Sequence, residues 1–239
     1  MIAKDLMGQC ILGICIFLGL ASLGYLLGSS AIEFRQLERT VTVKGLSERE
    51  LPADRAIWPV QFSCATNDVM ELYDSLARDN RTILEFLKAQ GFSPDEITVG
   101  VPVIVDKLAQ EYSGNAGVRF RYTAKQTITI CSKKVDLVRK TMKKLLELGR
   151  KGIVFSGNSY DTKPEFIFSR LNEIKPAMIE EATRKARQVA EKFARDSDSR
   201  LGKIKRARQG QFSINDRDKN TPYIKKIRVV STVEYYLSD

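Results

Sequence analysis

Apolar and polar residues alternate with two different periods along the chain, and these periods predict its strands and helices. Residues 40–44 (TVTVK) follow the period of two that is typical of a half-buried strand. A second strand follows a turn at residues 52–54. Pro59 within it predicts an edge position or a bulge, because proline donates no backbone hydrogen bond. The inward face of this strand is predicted to carry Trp58, Val60, Phe62 and Cys64.

Three segments follow the helical period instead. Residues 68–90 form an amphipathic pattern that Gly91 ends, and residues 135–148 form a second one. A third helix is predicted from about Pro176, placed in its first turn, to Ser197. The predicted inward positions are Val69, Leu72, Leu76, Ile83 and Leu87 in the first helix, Val135, Val138, Met142 and Leu145 in the second, and Ala182, Ala186, Ala190 and Ala194 beside Ile179, Val189 and Phe193 in the third.

Hairpins are predicted between these helices. Residues 97–107 read as a strand, residues 114–117 (GNAG) as a hairpin connection, and residues 118–130 as a strand with strict alternation. Val118, Phe120, Tyr122, Ala124, Ile128 and Ile130 are predicted to face inward. Arg119, Arg121, Thr123, Lys125, Thr127 and Thr129 are predicted to face outward.

The order of elements indicates the fold class. Short strands at 153–156 and 165–168 precede the third helix, and strands around 203–212 and 225–237 end the chain. Helices inserted among hairpins are typical of an α+β fold, in which helices pack on one face of a largely antiparallel sheet. Since no linker-like stretch interrupts the pattern, we predict one domain over residues 36–239 after an N-terminal segment, residues 1–35.

The N-terminal segment has the character of a membrane helix. Residues 10–28 (CILGICIFLGLASLGYLLG) carry no charge, and about 20 such residues span a bilayer. A cleaved signal peptide remains the alternative, but its apolar region is usually about 7–15 residues and follows a positively charged stretch. We therefore predict a retained single-pass anchor. Ala21, Gly24 and Gly28 share one helix face, where a GxxxG pattern favours close helix packing.

The flanking charges bear on the orientation of this helix. Lys4 precedes it, whereas Arg35, Arg39 and Lys44 follow it. The positive-inside rule therefore places the large domain in the cytoplasm, although long domains translocate largely regardless of charge.

Composition limits the chemistry. The chain has 239 residues, no His and a formal net charge of +10. Without imidazole, neither a Ser-His-Asp triad nor an HExxH zinc site can form, and we predict no catalytic, cofactor-binding or metal-binding residues. The basic run at residues 203–208 (KIKRAR) lacks interleaved aromatic residues, which argues against nucleic acid as a partner. Cys64 and Cys131 lie in separate predicted strands and can pair only if they are neighbours in space.

With these elements placed, the soluble part resembles the SIMPL-domain family. The resemblance begins at residues 41–56 (VTVKGLSERELPADRA), which are similar to the family's opening strand, its glycine and its Pro-Asp-x-Ala turn; here Ala53 separates Pro52 from Asp54. It continues through residues 84–92, Ile97-Thr98, residues 122–130, the alanine-rich residues 181–194 and residues 201–204.

The resemblance implies a function that the residues alone do not. It implies an α+β fold that assembles into large homo-oligomeric rings or barrels in the bacterial envelope, usually in the periplasm, with a link to oxidative-stress tolerance. The family has no established catalytic residues, so none is transferred to this chain. We therefore expect a non-enzymatic, membrane-anchored oligomer at the bacterial inner membrane. An enzyme with a carboxylate and lysine site at subunit contacts, or a signalling adaptor, is the alternative.

A candidate contact surface follows from the alternating strand at residues 118–130. Its outward row contains Arg119, Arg121 and Lys125 and no carboxylate. A solvated face usually mixes both signs of charge. This row therefore predicts either an interface with another copy of the chain, a positive cavity that faces an anion, or an ordinary exposed strand.

Overall fold

The computed structural model describes residues 2–36, 39–109, 119–156 and 162–238, with side chains for all of these except 2–12 and 31–36. Its helices are α1 (Ile2–Gln36), α2 (Val69–Ala89), α3 (Val135–Lys143), α4 (Leu145–Gly149) and α5 (Leu171–Asp196). Its strands are β1 (Thr40–Pro52), β2 (Arg55–Thr66), β3 (Ile97–Val99), β4 (Val103–Asp106), β5 (Tyr122–Ser132), β6 (Val154–Phe155), β7 (Glu165–Ile167), β8 (Arg200–Gln209), β9 (Ser213–Asp216) and β10 (Ile224–Ser238).

Two sheets organise the strands that the structure describes. In the first, β10 lies between β1 and β8, and β9 also pairs with β10. In the second, the order is β3, β5, β2, β6, with β4 also paired to β5 and β7 to β2. The β8–β10 pairing and all the pairings of the second sheet are antiparallel. The predicted α+β fold with an N-terminal helix is confirmed.

The chain forms two compact units. The α5 unit comprises Met1–Glu48, Ile174–Ser213 and Arg228–Asp239. The α2 unit comprises Arg49–Glu173 and Ile214–Ile227. Long segments of each unit come from distant parts of the sequence.

The core of the α2 unit lies between α2 and the inner face of β2 and β5. The predicted inward residues Trp58, Val60 and Phe62 are buried there. From α2 the core receives Leu72, Leu76, Ile83 and Leu87, as predicted. The prediction for Val69 is wrong: it is the first residue of α2 and its side chain is 38% exposed.

Both ends of α2 are defined by residues that cap helices. Asp68 caps the start, where its Oδ1 accepts hydrogen bonds from the backbone N–H of Met70 at 2.7 Å and of Glu71 at 3.2 Å. Gly91 follows the last turn with a φ of +97°, a conformation that glycine adopts without a side-chain clash.

On one side of β2, the pairing with neighbouring strands is interrupted at Pro59. On the side of β5, Pro59 pairs with Thr129. On the other side, β7 pairs with residues 55–57 and β6 with residues 62–63, so Pro59 falls between the two. The prediction of an edge position is therefore correct locally, although β2 lies inside its sheet.

Several predicted boundaries shift. The predicted strand 97–107 is broken into β3 and β4. Val99 pairs with Ile128 and Val103 with Lys125, so one extra residue lies between β3 and β4, where Pro102 offers no donor. The predicted helix 135–148 is divided into α3 and α4 around Lys144. β5 begins at Tyr122, and Phe120 before it is exposed rather than inward. Val118 and the predicted connection at 114–117 lie outside the described residues.

Helix α5 begins earlier than its sequence signals suggest. It starts at Leu171, so Pro176 is its sixth residue and not part of the first turn. Inside a helix, proline removes one i to i−4 hydrogen bond. In α5 this bond is lost at Pro176, which is exposed. The predicted stripe of alanines is confirmed: Ala182, Ala186, Ala190 and Ala194 are all buried. Val189 and Phe193 beside the stripe are 40% and 55% exposed.

The alanine stripe packs on a glycine of β1. A Cβ built on Gly45 would lie 1.8 Å from the carbonyl oxygen of Ala182 and 2.5 Å from the backbone nitrogen of Ala186. Two residues later, buried Ser47 donates to Glu181 (Oγ to Oε2 2.9 Å). Within the α5 unit, helix and strand therefore touch backbone to backbone.

Candidate functional site

The apolar N-terminal run lies within the single helix α1. Within it, the window Gly13–Ser30 has a mean hydropathy of 1.7, and none of it is buried. Among the described residues, this is the one helix that is long and apolar enough to cross a membrane, a test that a signal sequence also passes. Ala21, Gly24 and Gly28 are exposed on one face of it, and no atom lies within 4 Å of a Cβ built on either glycine.

The structure separates the three cations of the predicted outward row. Arg121 forms a two-pronged ion pair with Asp106 of β4, with Nε 3.2 Å from Oδ1 and Nη2 2.9 Å from Oδ2. The hydrogen bonds from Arg121 hold the pKa of Asp106 below its usual value. The charge of Arg121 is thus matched within the chain.

The other two cations of the row differ in their surroundings. Arg119 precedes β5, is exposed, and places its guanidinium 5.7 Å from the ring centre of its neighbour Phe120. Lys125 lies on the outer face of β5, opposite Ser63 of β2 and Val103 of β4. Of the three cations of the row, Lys125 is the one that lines a cavity.

This cavity, which we call the lysine groove, has a volume of about 840 Å³. It is bounded by the ends of β2 and β5, by the middle of α2, and by the residues next to β4 and β6. The charged residues among its described lining are Arg78, Asp79, Lys107, Lys125 and Lys151. Ser63, Ser75 and Thr123 add hydroxyl groups, and Cys64 adds a thiol.

Two groups in the lysine groove have shifted pKa values. Burial raises the pKa of Asp79, and the nearby guanidinium of Arg78 opposes this shift. Burial also raises the pKa of the Cys64 thiol, and the carboxylate of Asp79 adds to the effect. Arg78 donates a hydrogen bond to Ser75 (Nη2 to Oγ 2.9 Å).

Cys64 and Cys131 are both free and do not lie close to each other. Cys131 pairs across the sheet with Ile57, which lies seven residues before Cys64 on β2. At about 3.3 Å per residue this separation is about 23 Å, well beyond disulfide range. Cys131 is exposed, whereas Cys64 is partly buried.

Asp54, in the turn of the family resemblance, organises the start of α5. Its carboxylate accepts hydrogen bonds from Ser169 N (2.9 Å), Ser169 Oγ (2.9 Å) and Arg170 N (3.2 Å), just before Leu171. Burial opposes ionisation of Asp54, but these hydrogen bonds outweigh it and lower its pKa. The sequence marked the turn but gave no signal for this contact across 115 residues.

Glu96 is a second carboxylate with a role that no sequence pattern indicates. It accepts hydrogen bonds from Ser132 Oγ (2.6 Å), from Ser93 N (3.0 Å) and from Lys134 Nζ (3.3 Å). Burial opposes its ionisation, yet these donors lower its pKa to about 2. Asp54 and Glu96 thus hold backbone segments together, a structural role.

Metal-binding geometry is not found among the described side chains, where no group of three or more Cys, Asp or Glu residues could hold an ion. No curated protein matches the chain. A family model does match, over residues 41–234, which include most of both compact units. By this match the chain belongs to the SIMPL family, described as a protein of unknown function (DUF541).

Proposed function

We propose that the protein is a non-enzymatic envelope protein, anchored in a bacterial inner membrane by α1, that forms a large homo-oligomer on the periplasmic side. The observation that carries the proposal is the apolar window Gly13–Ser30, whose side chains are all exposed. Large apolar surfaces of this kind are covered by lipid or by other protein. At about 1.5 Å per residue, these 18 residues extend about 27 Å, close to the hydrocarbon thickness of a bilayer.

Retention of the helix is tested by mass. Protein extracted from membranes is expected to have the intact mass of the full chain. A mature N-terminus near Ile32 would show that α1 is a signal sequence and would remove the anchor from the proposal.

Assembly is tested by light scattering on the full chain in detergent, where the expected mass is a multiple of 27.0 kDa. Bulky side chains at the packing face, in Gly24→Leu with Gly28→Leu, are expected to lower this mass if the helices contact each other. Gly19→Leu is the matched control, because Gly19 lies on the opposite side of α1 and also has open space around it. A wild-type mass of 27.0 kDa after subtraction of detergent would contradict self-assembly.

The soluble surface is tested separately. Arg119→Glu reverses an exposed charge of the predicted contact row without breaking the Arg121–Asp106 ion pair. If this row faces another copy of the chain, the variant lowers the mass. Lys133→Glu, at an exposed position outside the row, makes the same charge change and is expected to leave assembly intact.

Orientation is tested with a native thiol. Cys131 is exposed on the soluble part, whereas Cys15 lies inside the apolar window of α1. A membrane-impermeant maleimide added to spheroplasts is expected to label Cys131 faster than the partly buried Cys64, and Cys131→Ser is expected to remove this faster labelling. Labelling only after lysis would place the soluble part in the cytoplasm, in agreement with the flanking charges.

A link to oxidative-stress tolerance, which the resemblance to the family implies, belongs to the same proposal. Cells that lack the protein are expected to survive peroxide less well than cells that contain it. If Gly24→Leu with Gly28→Leu lowers the assembled mass, complementation by the full chain but not by this variant would connect the tolerance to the assembled form.

A further inference from the structure

The lysine groove gathers cations that are far apart in the sequence. Arg78 comes from α2, Lys107 follows β4, Lys125 is part of β5, and Lys151 precedes β6. Asp79 is the one carboxylate among the described lining residues. Among the described lining residues, four positive charges against one negative charge leave a net charge of +3.

These charges are not balanced within the described part of the chain. Lys107, Lys125 and Lys151 make no hydrogen bond or ion pair through their side chains there, and Arg78 donates to the hydroxyl of Ser75. By contrast, Arg121, just beyond the groove, is matched by Asp106. Like charges around a low-dielectric concavity repel each other, and they raise the local concentration of anions.

The lining of the groove supplies further hydrogen-bond donors. Ser63 lies directly opposite Lys125 in the β2–β5 register, and Thr123 lies one position further along the same face. The volume of about 840 Å³ falls within the range of small-molecule sites, roughly 300–1,000 Å³.

The cations bear on the type of anion. Three of the four are lysines, whose ammonium groups act as point charges, a role in which lysine commonly binds phosphate. A singly charged ion would leave most of the net charge of +3 unmatched. We infer that the lysine groove is a binding site for a small polyvalent phosphate anion, a ligand class that the proposed scaffold function does not itself require.

Cys64 allows this inference to be tested on the unmodified full chain. Its thiol lines the groove, whereas the exposed Cys131 lies about 23 Å away along the sheet and serves as an internal control. Alkylation of the detergent-solubilised protein is followed for each cysteine by peptide mass spectrometry, with inorganic tripolyphosphate as the probe. At about four times its Kd, the anion is expected to slow alkylation of Cys64 about five-fold and to leave Cys131 unchanged.

Charge variants define the site. Lys125→Gln with Lys151→Gln is expected to abolish protection of Cys64. Lys133→Gln with Lys140→Gln removes the same charge from exposed positions outside the groove and is expected to preserve protection. Isothermal titration calorimetry with tripolyphosphate on the same proteins measures binding independently of thiol reactivity.

Four results would overturn the inference. One is equal protection in the groove variant and its control, and another is the absence of binding heat together with unprotected Cys64. The third is equal protection by citrate, which would assign the site to carboxylates. The fourth is equal protection by sodium chloride of matched ionic strength, which would mean that the effect is ionic screening. Light scattering measures assembly independently of anion binding. An incorrect anion-binding inference can therefore be distinguished from an incorrect scaffold proposal.

Discussion

The two compact units bury a helix against a sheet by opposite means. In the α5 unit, the buried stripe of α5 consists of alanines, and Gly45 of β1 lies against the helix backbone. In the α2 unit, large side chains fill the space: Leu72 and Ile83 of α2 pack with Phe62 of β2, and all three are fully buried. Close packing is thus reached once by removing side chains and once by interlocking them.

This contrast in packing determines which substitutions each unit tolerates. Where backbones touch, no atom can be added unless the whole helix moves away from the strand, and this movement loosens the packing between them. Where side chains interlock, atoms cannot be removed without leaving a cavity. Small-to-large changes should therefore damage the α5 unit most, and large-to-small changes the α2 unit.

The largest effect is expected for Gly45→Ala. The added methyl group would lie 1.8 Å from the carbonyl oxygen of Ala182, so α5 must shift by more than an ångström. We expect a loss of about 4 kcal/mol or more in the free energy of unfolding, at the extreme of single substitutions. Urea unfolding followed by circular dichroism, with hydrogen exchange of residues 182–194, measures it.

Gly149→Ala is the control for this substitution, because a Cβ at Gly149 meets no atom within 4 Å. It is expected to change stability little. Equal stability of the two variants would show that β1 and α5 are further apart than the structure places them.

The second effect, in the α2 unit, is expected for Ile83→Ala. Ile83 is fully buried, and its truncation leaves a cavity that costs about 2–5 kcal/mol. Trp58 is the single tryptophan of the chain and lies in the same core, so its fluorescence reports unfolding of this unit. Val69→Ala on the same helix removes an exposed side chain and is expected to cost less than about 0.5 kcal/mol. A similar cost for both variants would contradict the interlocked core.

The third effect concerns the start of α5. Asp54→Ala removes the acceptor for Ser169 and Arg170 and is expected to cost about 1–2 kcal/mol, as loss of a helix cap does. Faster hydrogen exchange of the Ser169 and Arg170 amides would locate the change. Asp74→Ala, at an exposed position of α2, is the control. Unchanged exchange at both amides would show that another group holds this turn.

These contacts also mark how far the sequence could predict the structure. Periodicity predicted α2, the alanine stripe and the inner face of β2, because each depends on residues close together along the chain. It could not predict that Gly45 is the partner of the stripe or that Asp54 holds residues 169–170. Those pairings depend on tertiary packing, which also moved the start of α5 before Pro176.

The candidate site shows the same limit. The alternating strand drew attention to Lys125, but Lys107, Lys151 and Arg78 come from three other elements, and no local pattern connects them. Likewise, the ion pair of Arg121 with Asp106 involves a strand separated from β5 by residues outside the described ranges.

The smallest effect is expected for Glu96→Gln, and it depends on pH. Ionised Glu96 is held by Ser93, Ser132 and Lys134 in the α2 unit, but Lys134 is half exposed, so solvent screens part of the interaction. The pKa of Glu96 is lowered to about 2 in the folded protein from the usual 4.5. A lowered pKa stabilises the folded state above the unfolded-state value, and this stabilisation is lost as the pH falls from about 4.5 to about 2.

The wild type is therefore expected to unfold at a higher urea concentration than Glu96→Gln at pH 7. The two midpoints should converge as the pH is lowered below 4.5, the usual pKa of the group. Trp58 fluorescence again provides the signal, and Glu85→Gln, at an exposed position of α2, controls for the loss of one negative charge. A difference that stays constant from pH 7 to pH 3 would mean that Glu96 contributes through the shape of its hydrogen bonds and not through its charge.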